Sequence, residues 1–123
     1  RSSSSAASDV YKRQDKKQYM DGQSTLLVLK ALANEKRWQI FLWLLSPREH
    51  FPRQEDGDLV DDGVCVGFIT DKIGLSQPTV TAHMKILLDA GLVSSKQIKN
   101  WVFYKPNREA IQAQLSSLSS LLA

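Results

Sequence analysis

Apolar residues recur along this chain at two different periods, and the changes between them divide it into elements. Leu26, Leu29, Leu32 and Ala33 fall at the spacing of one helical face, with Ser24 or Thr25 placed to cap it. Asn34 predicts the N-cap of a second helix, in which Trp38, Ile40, Phe41, Leu42, Leu44 and Leu45 are apolar on nearly every side until Pro47 ends it. A helix apolar all round is expected at the centre of a core. Residues 47–63, rich in Pro, Gly and charge, predict a long surface loop, and loops longer than about 12 to 15 residues are usually functional or disordered. Val64, Val66, Phe68 and Ile69 lead into a short helix through Lys72 and Ile73, closed by Gly74. Ser76 supplies the next N-cap, Pro78 sits in the first turn, and Val80, Met84, Leu87 and Leu88 keep helical spacing up to Ala90 and Gly91.

The period then shortens. Leu92 to Ile98 and Trp101 to Tyr104 predict two strands around a tight turn at Lys99 and Asn100. After Pro106, Ile111, Leu115, Leu118 and Leu122 recur at i, i+4, i+7 and i+11, one stripe on a last helix. The predicted order is α-α-α-α-β-β-α, a mainly α fold with a β-hairpin, over residues 23–123. Residues 1–22 open on a Ser/Ala run with no apolar periodicity and no initiator Met; they are expected to be a disordered tail. That opening resembles a translated cloning or library scar, with the native start upstream or near Met20. A flexible basic arm that touches DNA is the functional alternative.

At 123 residues and 42% apolar composition the chain has the size of one compact domain. A single Cys makes no intrachain disulfide and no paired-thiolate zinc site, which predicts a reducing, cytoplasmic setting. The longest apolar run, Ile40 to Leu45, is far shorter than the roughly 20 residues of a membrane span, and no membrane partner is expected.

The net charge of +3 conceals opposed blocks. The loop sets Arg48 and Arg53 against Glu49, Glu55, Asp56, Asp58, Asp61 and Asp62, whereas Lys85, Lys96, Lys99, Lys105 and Arg108 face only Asp89 between Ser76 and Arg108. A basic block beside an acidic one predicts a polyanion-binding face with a repelling edge, which would help to fix docking orientation. The acidic loop lacks the spacing of a calcium loop, so it is read as solvated.

Two consecutive helices around Gly74 and Leu75, followed by a basic hairpin, predict a winged helix-turn-helix whose second helix enters the major groove. With its apolar residues inward, that helix presents Gln77, Thr79, Thr81, Ala82 and Lys85. Gln can bond bidentately to adenine, Thr offers a hydroxyl and a methyl, and the helix N-terminus at Ser76 attracts phosphate. Lys85, Lys96, Lys99 and Asn100 are the expected backbone or minor-groove contacts.

The stretch LSQPTVTAHMKILLDAGLVSSKQIKNWVFYKPN resembles the ArsR/SmtB family of bacterial winged-helix repressors, through Ser76-Gln77-Pro78, His83, Leu88 to Val93 and Trp101 to Tyr104. LKALANEKRWQIFLWLL upstream is also similar to the family pattern, so the resemblance spans about Leu26 to Asn107. It implies a repressor of palindromic operators that releases DNA on binding an inducer, here unknown. It also implies a DNA contact at His83 and a homodimer built on the first and last helices. Leu26, Leu29 and the stripe Ile111, Leu115, Leu118 and Leu122, flanked by serines, suit such helix-on-helix packing. The metal-sensing branch carries Cys-Val-Cys where this chain has Cys65-Val66-Gly67, and the last helix offers Glu109 without His, so neither family metal site is expected. Cys65 is either an inert small hydrophobe or a redox sensor. No nucleophile or cofactor constellation predicts an enzyme, and no cofactor is expected. The alternative functions are a winged helix that binds protein, or a thiol-responsive repressor.

Overall fold

The computed structural model describes residues 24–122. The expectations for residues 1–22 lie outside the described residues. Helix α1 covers residues 24–32, and α2 is Glu35–Leu45, capped by the Asn34 side chain, which accepts from the backbone N–H of Lys36 and Arg37. α3 is a single turn, Pro47–His50. Strand β1, Val64–Cys65, precedes α4, Val66–Ile73. Gly74 ends α4 in the left-handed region at φ 76°, a conformation that costs a residue with a Cβ. α5 is Gln77–Asp89, β2 Val93–Ile98, β3 Trp101–Pro106 and α6 Arg108–Leu122.

The winged helix-turn-helix is present, with three departures from the expected elements. Val64 and Cys65 are not the lead-in to a helix but a third strand, Val64 opposite Tyr104 and Cys65 opposite Phe103, so the sheet order is β1-β3-β2. Residues 47–63 are not a solvated excursion. They contain α3 and send Phe51, Gln54 and Leu59 into the interior. Finally, α2 buries Ile40, Phe41 and Leu44 and leaves Trp38 and Leu42 exposed, so it is a core helix on one side only.

The core gathers Ile40 and Leu44 of α2, Ile69 of α4, Val80, Met84 and Leu87 of α5, Leu92 ahead of the wing and Phe103 of β3, all almost wholly buried. α2 therefore packs on α4, α5 and β3 together, and this fixes the helix-turn-helix relative to the wing. The hairpin turns through Lys99 and Asn100, with Ile98 opposite Trp101; Lys99 takes a positive φ of 56°, which L side chains adopt at a cost.

Candidate nucleic-acid interface

The turn between α4 and α5 is set by two local devices, the left-handed Gly74 and the Ser76 cap. Ser76 Oγ accepts from the Thr79 N–H at 3.4 Å and lies 2.8 Å from Thr79 Oγ1. Because Val80, Met84 and Leu87 are buried, the residues between them are turned outward. Ser76, Gln77, Thr79, Thr81, Ala82 and Lys85 are all exposed, and Leu88 is half-buried. Lys85 Nζ lies 3.2 Å from Asp89 one turn on. Ile86, 41% exposed, adds an apolar residue to the outward surface that the spacing argument passed over.

His83 lies at the edge of α5, half-buried, and meets Arg37. The Arg37 guanidinium donates from Nε to the Ala31 carbonyl at 2.6 Å and from Nη2 to the Lys30 carbonyl at 3.4 Å, covering the open carbonyls at the end of α1. Its Nη1 is 3.1 Å from His83 Nδ1. Arginine can only donate, so Nδ1 accepts and the ring is neutral with its proton on Nε2. Burial, and then the Arg37 charge, push the His83 pKa below its ordinary value of 6.5. Nothing in the sequence marked Arg37 as the residue that joins α1 to α5.

The sign of the resulting pH dependence follows from linkage. Folded His83 binds its proton less readily than unfolded His83, so this contribution to stability is present above pH 6.5 and lost as pH falls through the lowered folded value. The unfolding midpoint is expected to drop between about pH 7.5 and about pH 5.5 by more in the wild type than in His83→Gln. Thermal melts across that range read the difference, and equal slopes would remove His83 from the account.

Beside α5 stands the wing, where Lys96, Lys99, Asn100 and Lys105 are exposed. Its lysines are not free. Lys96 Nζ lies 2.5 Å from Asp62 Oδ1, Lys99 Nζ 3.0 Å from Asp56 Oδ1, and Lys105 Nζ donates to the Asp61 carbonyl at 3.0 Å. The hydrogen bond from Lys96, and then that from the Asp58 N–H, hold the Asp62 carboxyl below the usual carboxylate range. The acidic loop thus folds against the wing instead of standing apart as a separate repelling edge. These pairs span residues 34 and 43 positions apart in sequence, a separation that no local pattern exposes.

Gln54 holds the base of this loop. Its Oε1 accepts the buried Cys65 N–H at 2.7 Å, and its Nε2 donates to the Gly63 carbonyl at 3.0 Å. Cys65 is 9% exposed and lines a cavity of about 470 Å³ between the loop, α4 and the wing, together with Gly67, Phe68, Asp71 and Trp101. Reactive thiols favour partly exposed, electropositive places, and this one is buried within an apolar strand. Among the described residues, no group of three or more His, Cys, Asp and Glu is placed to hold a metal ion.

On the remaining side, Thr25 Oγ1 donates to Gln114 Oε1 at 3.0 Å and joins α1 to α6. Leu26, Leu29, Leu115 and Leu122 are exposed, whereas Ile111 and Leu118 are half-buried. Leu27 and Leu121 are exposed as well. No residue of α6 is buried in the single chain.

A family model described as "Bacterial regulatory protein, arsR family" matches residues 61–95, which run from the end of the loop through α4 and α5 into β2. The HTH-type transcriptional regulator YbzH of Bacillus subtilis (strain 168) is 45% identical over 84 residues, 68% of this chain and 84% of that protein. The chain belongs to the ArsR family. The arsenical resistance operon repressor of B. subtilis is 30% identical to it over 87 residues, 71% of this chain and 70% of that protein. Among solved structures, HlyU from Vibrio cholerae N16961 aligns with a TM-score of 0.56 at 28% identity, covering 81% of this chain and 92% of that one. The homodimeric winged helix-turn-helix DNA-binding domain Mb0332 of Mycobacterium bovis, described as a possible ArsR-family transcriptional regulator, aligns at 0.58 with 22% identity, covering 87% and 89%, which supports the fold. The protein is a DNA-binding transcriptional regulator and not an enzyme. Among the described residues no helix is long and apolar enough to cross a membrane.

Proposed function

We propose that this ArsR-family regulator is a homodimeric repressor that reads a palindromic operator in double-stranded DNA. The observation that carries the reading is the exposed polar face of the Ser76-capped α5 beside the lysine-bearing wing. Gln77, Thr79 and Thr81 reach base edges in the major groove, and the helix N-terminus at Ser76 takes a phosphate. His83, Lys85, Lys96, Lys99 and Asn100 position the domain on the backbone or in the minor groove. α1 and α6 form the subunit contact through Leu26, Leu29, Ile111, Leu115, Leu118 and Leu122, which spaces two recognition helices about one helical turn of DNA apart. The arsenical resistance repressor among the relatives supports repression as the sign of control.

Selection of binding sites from a random duplex library with the purified protein tests this reading. A two-fold symmetric site is expected, with log affinity falling steeply against log salt. Recovery of no preferred sequence would replace operator recognition with a protein-binding role. Gln77→Ala is expected to lower discrimination between the selected site and random DNA by about 1 to 3 kcal/mol, whereas Lys99→Ala weakens both to a similar extent. The opposite pattern in competition titrations would reverse the assignment of base and phosphate contacts.

A further inference from the structure

DNA phosphate is not the first anion to meet the wing. Of the wing residues, Lys96, Lys99 and Lys105 are the cations, and each already has an oxygen of loop residues 56–62 against its ammonium group. The loop is held in place to do this. Phe51 and Leu59 are buried, Gln54 is bonded to the backbone at Gly63 and Cys65, and Asp58 folds the loop tip by accepting the N–H groups of Val60 and Asp61 at 2.9 and 2.8 Å. Asp62 is braced in turn, its Oδ2 accepting the Asp58 N–H at 2.7 Å. Two carboxylates and a carbonyl are therefore presented to three lysines by a scaffold that does not depend on those lysines for its shape.

We propose that this loop is an intramolecular stand-in for DNA phosphate: Asp56, Asp62 and the Asp61 carbonyl occupy the wing lysines and weaken binding to any duplex, because DNA must displace them. The proposal rests on the reading that the wing lysines meet phosphate. Its physical basis is exchange. A free lysine that docks on DNA releases condensed counterions, whereas a paired lysine also leaves behind a carboxylate that takes up a cation, so the net release is smaller. Exposed ion pairs are individually weak, and each is worth up to about a fivefold change in affinity.

The test uses the whole chain and a random-sequence duplex, which removes base recognition from the comparison. Asp56→Asn with Asp62→Asn keeps the shape of both side chains and the oxygen that meets the Asp58 N–H. The double variant is expected to bind about three- to tenfold more tightly at low salt, with a plot of log affinity against log salt steeper by up to about two. Asp56→Asn alone leaves the hydrogen bonds among Asp58, Val60, Asp61 and Asp62 untouched, should give a smaller gain in the same direction and serves if the double variant does not fold. Glu55→Gln is the control, since it removes one charge from the same loop and Glu55 takes part in none of the ion pairs among the described residues. Unchanged affinity and slope in a folded Asn variant, or an equal gain from Glu55→Gln, would overturn the proposal. A wild type that binds no duplex, or whose affinity is indifferent to Lys96→Ala and Lys99→Ala, would overturn instead the DNA reading of the wing on which it rests.

Discussion

Gly63→Ala is expected to lower folding stability by about 3 kcal/mol or more, a shift of over about 10 °C in the midpoint of a domain this size. Gly63 has φ +103°, a conformation that L side chains rarely adopt. A Cβ there would run into the backbone carbonyl of Tyr104, its carbon 2.5 Å away, and lie 3.0 Å from the Lys105 nitrogen. These are atoms of β3, the central strand, which is paired on both sides and has no room to retreat. Gly63 is also the junction through which Gln54 ties the loop to β1, so the displacement reaches the wing. Gly67→Ala supplies the comparison. Its Cβ would sit 3.8 Å from Cys65 Sγ and 3.9 Å from Trp101 in ordinary contact, at a helical position where alanine is favoured by about 0.5 to 1 kcal/mol. Urea or thermal unfolding of the two variants should therefore move in opposite directions, and equal stabilities would refute the register of β1 on β3.

The contrast between these two glycines also marks how far the sequence is legible. Local rules placed what local chemistry decides: Asn34 and Ser76 cap their helices, Gly74 ends α4 and the hairpin turns at Lys99 and Asn100. The outward face of α5 follows from the burial of Val80, Met84 and Leu87 by the same argument. β1 escaped because two residues are too few to display a period of two, and Val64 and Cys65 merge with the apolar run that opens α4. The loop is illegible for a different reason. Its acidic residues look solvated by composition, and only the fold brings Asp56 and Asp62 to Lys99 and Lys96. Gln54 and Arg37 are single polar residues whose partners are backbone atoms or a distant His83, and no spacing rule distinguishes them from surface residues. Family resemblance makes His83 conspicuous but not its partner, because Arg37 lies 46 residues away in sequence.

The stripe on α6 leads to the other large expected effect. In the single chain Leu115 is 57% exposed and Leu122 84%, and on α1 Leu26 and Leu29 are 43% and 50% exposed. A helix of 15 residues with none buried gains too little from its own chain to account for four leucines and an isoleucine, and stable helices generally depend on covering such a face. The Thr25–Gln114 hydrogen bond joins α1 to α6, so their leucines can serve a common contact with a second copy. In a two-fold contact each substitution acts twice, and burying a leucine is worth about 1.5 to 3 kcal/mol per copy. Leu115→Asp is thus expected to weaken the proposed dimer by about 3 to 6 kcal/mol, a rise of roughly 150-fold to 20,000-fold in its dissociation constant. Because Leu115 is exposed in the single chain and lies outside the core of α2, α4, α5 and β3, the winged domain should stay folded, with any loss of helicity confined to the uncovered α6. Sedimentation equilibrium over a concentration series reads the change directly. On the proposed reading, in which each subunit supplies one recognition helix, DNA binding should then fall from a two-fold symmetric site to a weak half-site. A Leu115→Asp protein that sediments as the same dimer would place the subunit contact elsewhere, with the exposed Trp38 and Leu42 of α2 the next apolar surface to test.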